Sequence, residues 1–108
     1  MKKTLLILVG ALITSSATLA QNVNIPDANF KAYLVGNSAI NTNSDTEIQV
    51  SEATAFSGGI YCFNLSISDL TGIEFFTNLT VLRCNDNSLT VLDLSNNTDL
   101  VELRCQEN

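Results

Sequence analysis

The side chains best suited to chemistry in this sequence lie in one polar stretch, residues 41–52. Oxygen-bearing side chains occupy its first, third and fifth positions, and a glutamate occupies its twelfth. This is the ligand spacing of a helix–loop–helix calcium site, in which the closing glutamate supplies two of about six to eight oxygens. The candidate calcium ligands are Asn41, Asn43, Asp45, Glu47 and Glu52.

Two positions in this stretch depart from a calcium loop. Asn41 stands where such loops begin with an aspartate, and Thr46 stands where they turn on a glycine. Only Asp45 and Glu52 would then be charged side-chain ligands. The alternative, which we favour, is a structural helix–loop–helix that covers one end of the remaining chain and needs no cofactor.

Catalytic groups are scarce. The chain has no histidine, and no serine or cysteine has a base beside it that could activate a nucleophile. Carboxylate pairs such as Asp93 and Asp99 fall in turns, where carboxylates are usually solvated. The sequence therefore predicts a protein that is not an enzyme.

A repeat organises the second half of the chain, with a period of about 21 residues that matches the leucine-rich-repeat signature. Each turn of such a repeat carries an apolar face that only the next turn can bury. Short strands of successive turns then pair in parallel, with alternate side chains pointing inward. The identities at this period are Leu79 with Leu100, Leu82 with Leu103, Arg83 with Arg104, Cys84 with Cys105, and Asn87 with Asn108.

A slightly longer, degenerate turn precedes these repeats. Ile60 and Cys62 align with Leu82 and Cys84, whereas Leu65 stands where later turns carry an asparagine. Terminal repeats are often atypical because one side meets a cap. The predicted fold class is α/β: a leucine-rich-repeat solenoid of stacked parallel short strands with a small N-terminal helical cap.

The predicted organisation has three parts. Residues 1–20 form a signal peptide, residues 21–57 an EF-hand-like helical cap, and residues 58–108 about two and a half repeats. Helices are predicted at 27–35 and 51–56, where apolar spacing and start signals agree. Because no polar closing repeat follows Leu103, we expect a longer protein whose missing part carries further repeats or a sorting or anchor domain.

Residues 1–20 have the basic start, apolar run and small-residue end of a secretory signal peptide, with cleavage expected near Ala20. The apolar run is shorter than the ~20 residues that a membrane-spanning helix needs. Cleavage leaves three basic side chains against eleven acidic ones, a formal net charge of −8. Such a chain is a poor match for nucleic acid, and we expect a secreted or cell-surface bacterial protein.

The three cysteines, Cys62, Cys84 and Cys105, fall in the same inward slot of successive turns. An exported protein with three cysteines first suggests one disulfide and one spare thiol. Stacked slots have parallel Cβ vectors, however, and this is poor disulfide geometry. The register therefore favours a packed ladder of reduced cysteines, all three buried.

The outward side chains of the strands form the predicted binding surface, which is the concave face of such a solenoid. Aromatic residues and arginine dominate binding hot spots, and both occur here. An alternative is that a glutamate neutralises the arginines and the cap covers the aromatics. The predicted partner-binding residues are Tyr61, Phe63, Val81, Arg83, Asn85, Glu102, Arg104 and Gln106.

The sequence resembles the bacterial internalin-type leucine-rich-repeat proteins, and most closely the internalin-J-like group. Residues 24–30 look like the first helix of an internalin cap, and residues 67–79 look like the linking repeat that follows it. The resemblance implies a structural cap and a cysteine ladder. From the concave face we expect a non-catalytic, exported adhesion or recognition module that binds a protein or glycan. Two alternatives stay open: a recognition module whose cap depends on calcium, and a repeat scaffold for a separate enzyme or anchor domain.

Overall fold

The computed structural model describes residues 21–108, and the predicted signal peptide lies outside them. Two helices come first, followed by three short strands and one 3₁₀ turn. Their bounds are α1 Ala28–Val35, α2 Val50–Ala55, β1 Gly59–Tyr61, the 3₁₀ turn Ile73–Phe75, β2 Val81–Arg83 and β3 Glu102–Arg104. No helix within residues 21–108 is long and apolar enough to cross a membrane.

The three strands form one parallel sheet in the order β1-β2-β3. Ile60 pairs with Leu82, and Leu82 pairs with Leu103, so the register follows the alignment of the sequence repeats. The ladder continues beyond the strands, because Cys62 N donates to Arg83 O at 2.9 Å and Cys84 N donates to Arg104 O at 2.8 Å. The predicted leucine-rich-repeat stacking is therefore confirmed.

Helix α1 begins one position later than the sequence indicates, because Asp27 is its N-cap. Oδ1 of Asp27 accepts hydrogen bonds from the backbone N–H groups of Asn29 and Phe30, both at 2.9 Å. Its Oδ2 accepts from the backbone N–H of Ser68 at 2.9 Å. Desolvation alone would raise the pKa of this carboxyl, but the hydrogen bonds from Ser68, Phe30 and Asn29 together hold that pKa below its usual value. Asp27 thus ties the cap to the first repeat.

One apolar core runs from the cap into the repeats. Phe30 and Leu34 of α1 are fully buried, and so is Ile48 at the inward position of the polar loop. Phe56 and Phe76 meet edge to face, with ring centroids 6.3 Å apart. The helical segment and the first coil therefore share one core.

Asn87 bridges two successive coils. Its Oδ1 accepts hydrogen bonds from the backbone N–H groups of Leu65 and Ile67 on the first coil, at 2.9 and 3.0 Å. Its Nδ2 donates to the carbonyls of Cys62 and Cys84, at 2.9 and 3.0 Å. Asn108 repeats this bridge one coil later, accepting from Leu89 N at 3.0 Å and donating to Cys84 O at 3.0 Å.

Another asparagine, Asn97, plays a similar role on the other side of the coil. This buried side chain donates to the carbonyls of Ile73 and Phe76, both at 2.9 Å. Its role is not visible in the sequence because Phe76 occupies the equivalent position one repeat earlier, so the repeat pattern shows no recurrence there.

The cysteine ladder is present, but the prediction that all three thiols are buried is wrong. Cys62 and Cys84 are buried, whereas Cys105 is exposed. Within residues 21–108 no further coil lies over the last one, and Leu103 near Cys105 is likewise 43% exposed. An inward slot becomes dry only when a neighbouring coil covers it.

We expect the three thiols to react in two classes. Burial, with a smaller contribution from the neighbouring cysteine, raises the pKa of Cys62 to about 12 and that of Cys84 to about 11. These two thiols stay protonated at pH 8, and the thiolate is the reactive form. A chromogenic thiol reagent should modify one thiol per folded chain, Cys105, and two more only in denaturant. Equal reactivity of all three, or fewer than three thiols after unfolding, would contradict this ladder.

Candidate functional site

The outward side chains of the sheet lie in aligned rows, which we call the strand face. Tyr61, Arg83 and Arg104 are paired in register across the three strands. A second row of outward side chains lies just past the strands, where the backbone hydrogen bonds between coils continue. There, Asn64 N donates to Asn85 O and Asp86 N donates to Gln106 O. The strand face comprises Gly59, Tyr61, Phe63, Val81, Arg83, Asn85, Glu102, Arg104 and Gln106.

The aromatic side chains of the strand face are open to solvent. Tyr61 is 45% exposed and Phe63 is 46% exposed, whereas Ile60 and Cys62 beside them are fully buried. The cap therefore does not cover the aromatics. Half-buried Val81, half-buried Asn85 and exposed Gln106 lie on the same face, so apolar and polar contact surfaces lie side by side on one sheet.

A single glutamate bridges the two arginines. The carboxylate oxygen Oε2 of Glu102 lies 2.7 Å from Arg83 Nε and 3.5 Å from Arg104 Nε. The hydrogen bond from Arg83 holds the pKa of Glu102 below its usual value and raises the pKa of Arg83. Glu102 thus stays ionised and offsets the repulsion between two like charges on adjacent strands.

Two residues outside the predicted set position Tyr61. The hydroxyl of Tyr33 in α1 accepts a hydrogen bond from Tyr61 N at 2.9 Å, which links the cap to the exposed edge of β1. A Cβ at position 59 would lie 2.5 Å from the Tyr61 hydroxyl oxygen, so Gly59 leaves room for the ring to lie along the strand. The guanidinium of Arg83 is 5.5 Å from the centroid of the Tyr61 ring.

Neither residue could have been assigned this role from spacing alone. Tyr33 looks like a core-facing residue of an amphipathic helix, and its contact with β1 joins parts of the chain that are far apart in sequence. Gly59 looks like part of a helix-ending glycine pair. Only the three-dimensional arrangement shows that both set the orientation of one exposed ring.

The polar loop 41–52 holds itself together with hydrogen bonds. Glu52 accepts from the backbone N–H groups of Thr42, Asn43 and Gln49, at 2.9, 3.2 and 2.9 Å. The Gln49 amide donates to Asp45 Oδ2 at 2.9 Å, and the Asn43 amide donates to the same oxygen at 3.1 Å. Both carboxylates therefore already have N–H partners.

Two other candidate ligands, Asn41 and Glu47, make contacts within the cap. Asn41 donates to the carbonyls of Val35 and Asp45, and Glu47 forms an ion pair with Lys31 at 2.8 Å. The buried Asn41 Oδ1 accepts no hydrogen bond within the described residues. N–H donors converge on the carboxylates of Asp45 and Glu52, and this arrangement favours a cap held by hydrogen bonds.

We expect the cap to fold without calcium. The melting temperature of the purified chain should be the same in about 1 mM CaCl₂ and in excess chelator. Weak extracellular calcium modules begin to bind the ion at about 1 mM calcium. An increase of several degrees in calcium, absent in a Glu52→Gln variant that still folds, would show that the loop binds the ion.

Comparison with known proteins gives consistent results, although no protein-family model matches the chain. Over 88 residues the chain is 39% identical to internalin J of Listeria monocytogenes, an alignment that covers 79% of this chain and 9% of that protein. The chain thus spans less than a tenth of the curated relative.

Solved structures share the fold. The functional domain of internalin J from Listeria monocytogenes, described as including a cysteine ladder, matches with a TM-score of 0.60 and 38% identity, over 76% of this chain and 18% of that one. The internalin InlF from the same species matches with a TM-score of 0.60 at 23% identity, over 84% of this chain and 27% of that one, a likeness of fold alone. The CBM51-2 and INT domains of ZmpB from Clostridium perfringens match with a TM-score of 0.57 and 26% identity, over 79% of this chain and 17% of that one.

Proposed function

We propose that this chain, an internalin-type leucine-rich-repeat protein, is an exported binding module that recognises a protein partner through its strand face and catalyses no reaction. Export follows from the signal-peptide pattern of residues 1–20, with cleavage near Ala20 and release to the cell surface or the medium.

One observation carries the proposal: two aromatic side chains are exposed beside two arginines on an in-register parallel sheet. Tyr61 and Phe63 are close to half exposed, whereas Ile60 and Cys62 beside them are fully buried. Aromatic residues and arginine supply most of the binding energy in protein interfaces. A sheet braced by a hydrophobic core also loses little conformational freedom on binding.

Within residues 21–108, a groove on the other side of the coils is lined by no aromatic and no basic residue, although Val91 in it is exposed. It contains the carboxylates Asp69, Glu74 and Asp93. Asp69 and Asp93 accept from backbone N–H groups two positions further along the chain, and Glu74 accepts from the N–H of Gly72. These carboxylates therefore stabilise turns, and their use in turns supports neither catalysis nor binding.

The contacts of Tyr61 favour a protein partner over a glycan. Sugar rings stack on open aromatic faces, yet the guanidinium of Arg83 already lies 5.5 Å from the centroid of the Tyr61 ring. A cation–π contact of this kind holds the arginine against the ring and fixes its orientation.

Binding of the fluorescently labelled chain to a protein array and to a glycan array tests the proposal. We expect binding to array proteins, and a loss of at least about tenfold in affinity when Tyr61 and Phe63 are both replaced by alanine. Val91→Ala removes a side chain that is 77% exposed outside the strand face, so this variant should bind normally. Equal binding by both variants would contradict the proposal. Binding to glycans alone would show that the partner is a glycan rather than a protein.

A further inference from the structure

Positive charge is concentrated on the strand face of an otherwise acidic molecule. Residues 21–108 contain three basic side chains, of which Arg83 and Arg104 are adjacent on β2 and β3. The third, Lys31, belongs to α1 and is paired with Glu47 at 2.8 Å. The strand face therefore has a net positive charge, although the formal net charge of the mature chain is −8.

Glu102 leaves most of the hydrogen-bonding capacity of both arginines free. Each guanidinium has five N–H donors, and the contacts with Glu102 at 2.7 and 3.5 Å both involve Nε. Within residues 21–108 the terminal nitrogens of Arg83 and Arg104 donate no hydrogen bond. Glu102 thus orients two guanidinium groups whose terminal nitrogens remain available.

We propose that Arg83 and Arg104 together bind a carboxylate side chain in an acidic peptide segment of the partner, while Tyr61 and Phe63 contact apolar side chains next to that carboxylate. This inference rests on the proposed function and adds the chemistry of the partner. Planar guanidinium groups bind carboxylates through two parallel hydrogen bonds, which adds geometric specificity to the charge attraction.

The distribution of charge selects a short acidic peptide over a dense polyanion. At about 0.15 M ionic strength charges are screened beyond about 8 Å, so one or two carboxylates on the strand face would experience mainly the two arginines and Glu102, which together carry a net positive charge. A nucleic acid or a highly sulfated polymer would extend past two arginines towards the acidic side chains that dominate the rest of the surface.

An NMR titration tests this inference with a defined probe. The probe is an acetylated and amidated peptide in which two glutamates flank a phenylalanine, and the control peptide has glutamine in place of both glutamates. We expect the acidic peptide to shift the Nε–Hε signals of both arginines and to bind at least about tenfold more tightly than the control. Arg104→Gln should weaken its binding by about the same factor, and Lys31→Gln, which removes an equal charge from the cap, should not.

The inference is overturned by no binding at millimolar peptide, by equal binding of the glutamine peptide, or by equal weakening in Lys31→Gln and Arg104→Gln. Tighter binding of hyaluronate oligosaccharides than of the acidic peptide would assign the arginines to an acidic sugar instead. If array binding requires Tyr61 and Phe63 but is unchanged in Arg104→Gln, the proposed function stands and the carboxylate inference fails.

Discussion

Replacing Asn87 by alanine should lower the free energy of unfolding by about 3 kcal/mol, the largest effect expected of any single polar residue in the repeats. The substitution removes the acceptor for two backbone N–H groups and the donor to two backbone carbonyls, on two different coils. Backbone groups left without partners cost about 1–3 kcal/mol each where water cannot reach them. Urea unfolding followed by circular dichroism measures the change.

Two further variants make the Asn87 result specific. Asn87→Asp keeps the acceptor oxygen, loses the donor and places a charge beside carbonyl oxygens, so its stability should fall by a similar amount. Asn96→Ala changes an exposed asparagine of the same coil and should alter stability by no more than about 0.5 kcal/mol. If Asn87→Ala were as stable as Asn96→Ala, the asparagine bridge between coils would not hold the stack together.

Replacing Glu52 by alanine should also destabilise the chain by about 3 kcal/mol, through the cap. This carboxylate is 8% exposed and accepts hydrogen bonds from three backbone N–H groups, those of Thr42, Asn43 and Gln49. Hydrogen bonds to a charged group are stronger than neutral ones. Removing the Glu52 carboxylate leaves backbone N–H groups in the loop and at the start of α2 without their acceptor. Loss of the cap then exposes the core that it shares with the first coil.

Glu47→Gln is the matched control for Glu52. The ion pair between Glu47 and Lys31 is partly exposed, with side-chain exposures of 36% and 33%. Solvent screening limits such pairs to about 1 kcal/mol or less. The same urea measurement should therefore separate the two glutamates clearly, and equal effects would mean that the hydrogen bonds of Glu52 do not maintain the cap.

The repeat fold could be predicted because its signal recurs. Leu82 and Leu103 each lie at the same point of the repeat unit, and a parallel stack is the arrangement that buries such leucines against their neighbours. The alignment of Ile60 with Leu82 likewise predicted the register of β1. Recurrence fixes which side chains point inward, and hence which point outward onto the strand face.

Features that occur once could not be predicted in the same way. The exposure of Cys105 depends on what covers the last coil, and the role of Asn97 depends on contacts with a coil that carries phenylalanine at the equivalent position. The state of the 41–52 loop depends on Gln49, whose amide donates to Asp45 although no ligand pattern includes it. In each case a neighbouring residue, rather than the local spacing, decides the outcome.

The exposure of the strand face has the same origin as the stability of the stack. Alternation along each strand places Ile60 and Cys62 in the core and turns Tyr61 and Phe63 outward. A substitution that leaves the inward residues intact should therefore change binding without changing the fold. This separation allows the recognition surface to be tested directly.

Photo-cross-linking at position 61 is the most direct test of the strand face as the recognition surface. A benzoylphenylalanine replaces Tyr61 in one variant and exposed Val91 in the other, and each is irradiated with the array protein that binds most tightly. We expect a covalent adduct from position 61 and none from position 91. An adduct from position 91, with none from position 61, would contradict this assignment and move the binding surface off the sheet.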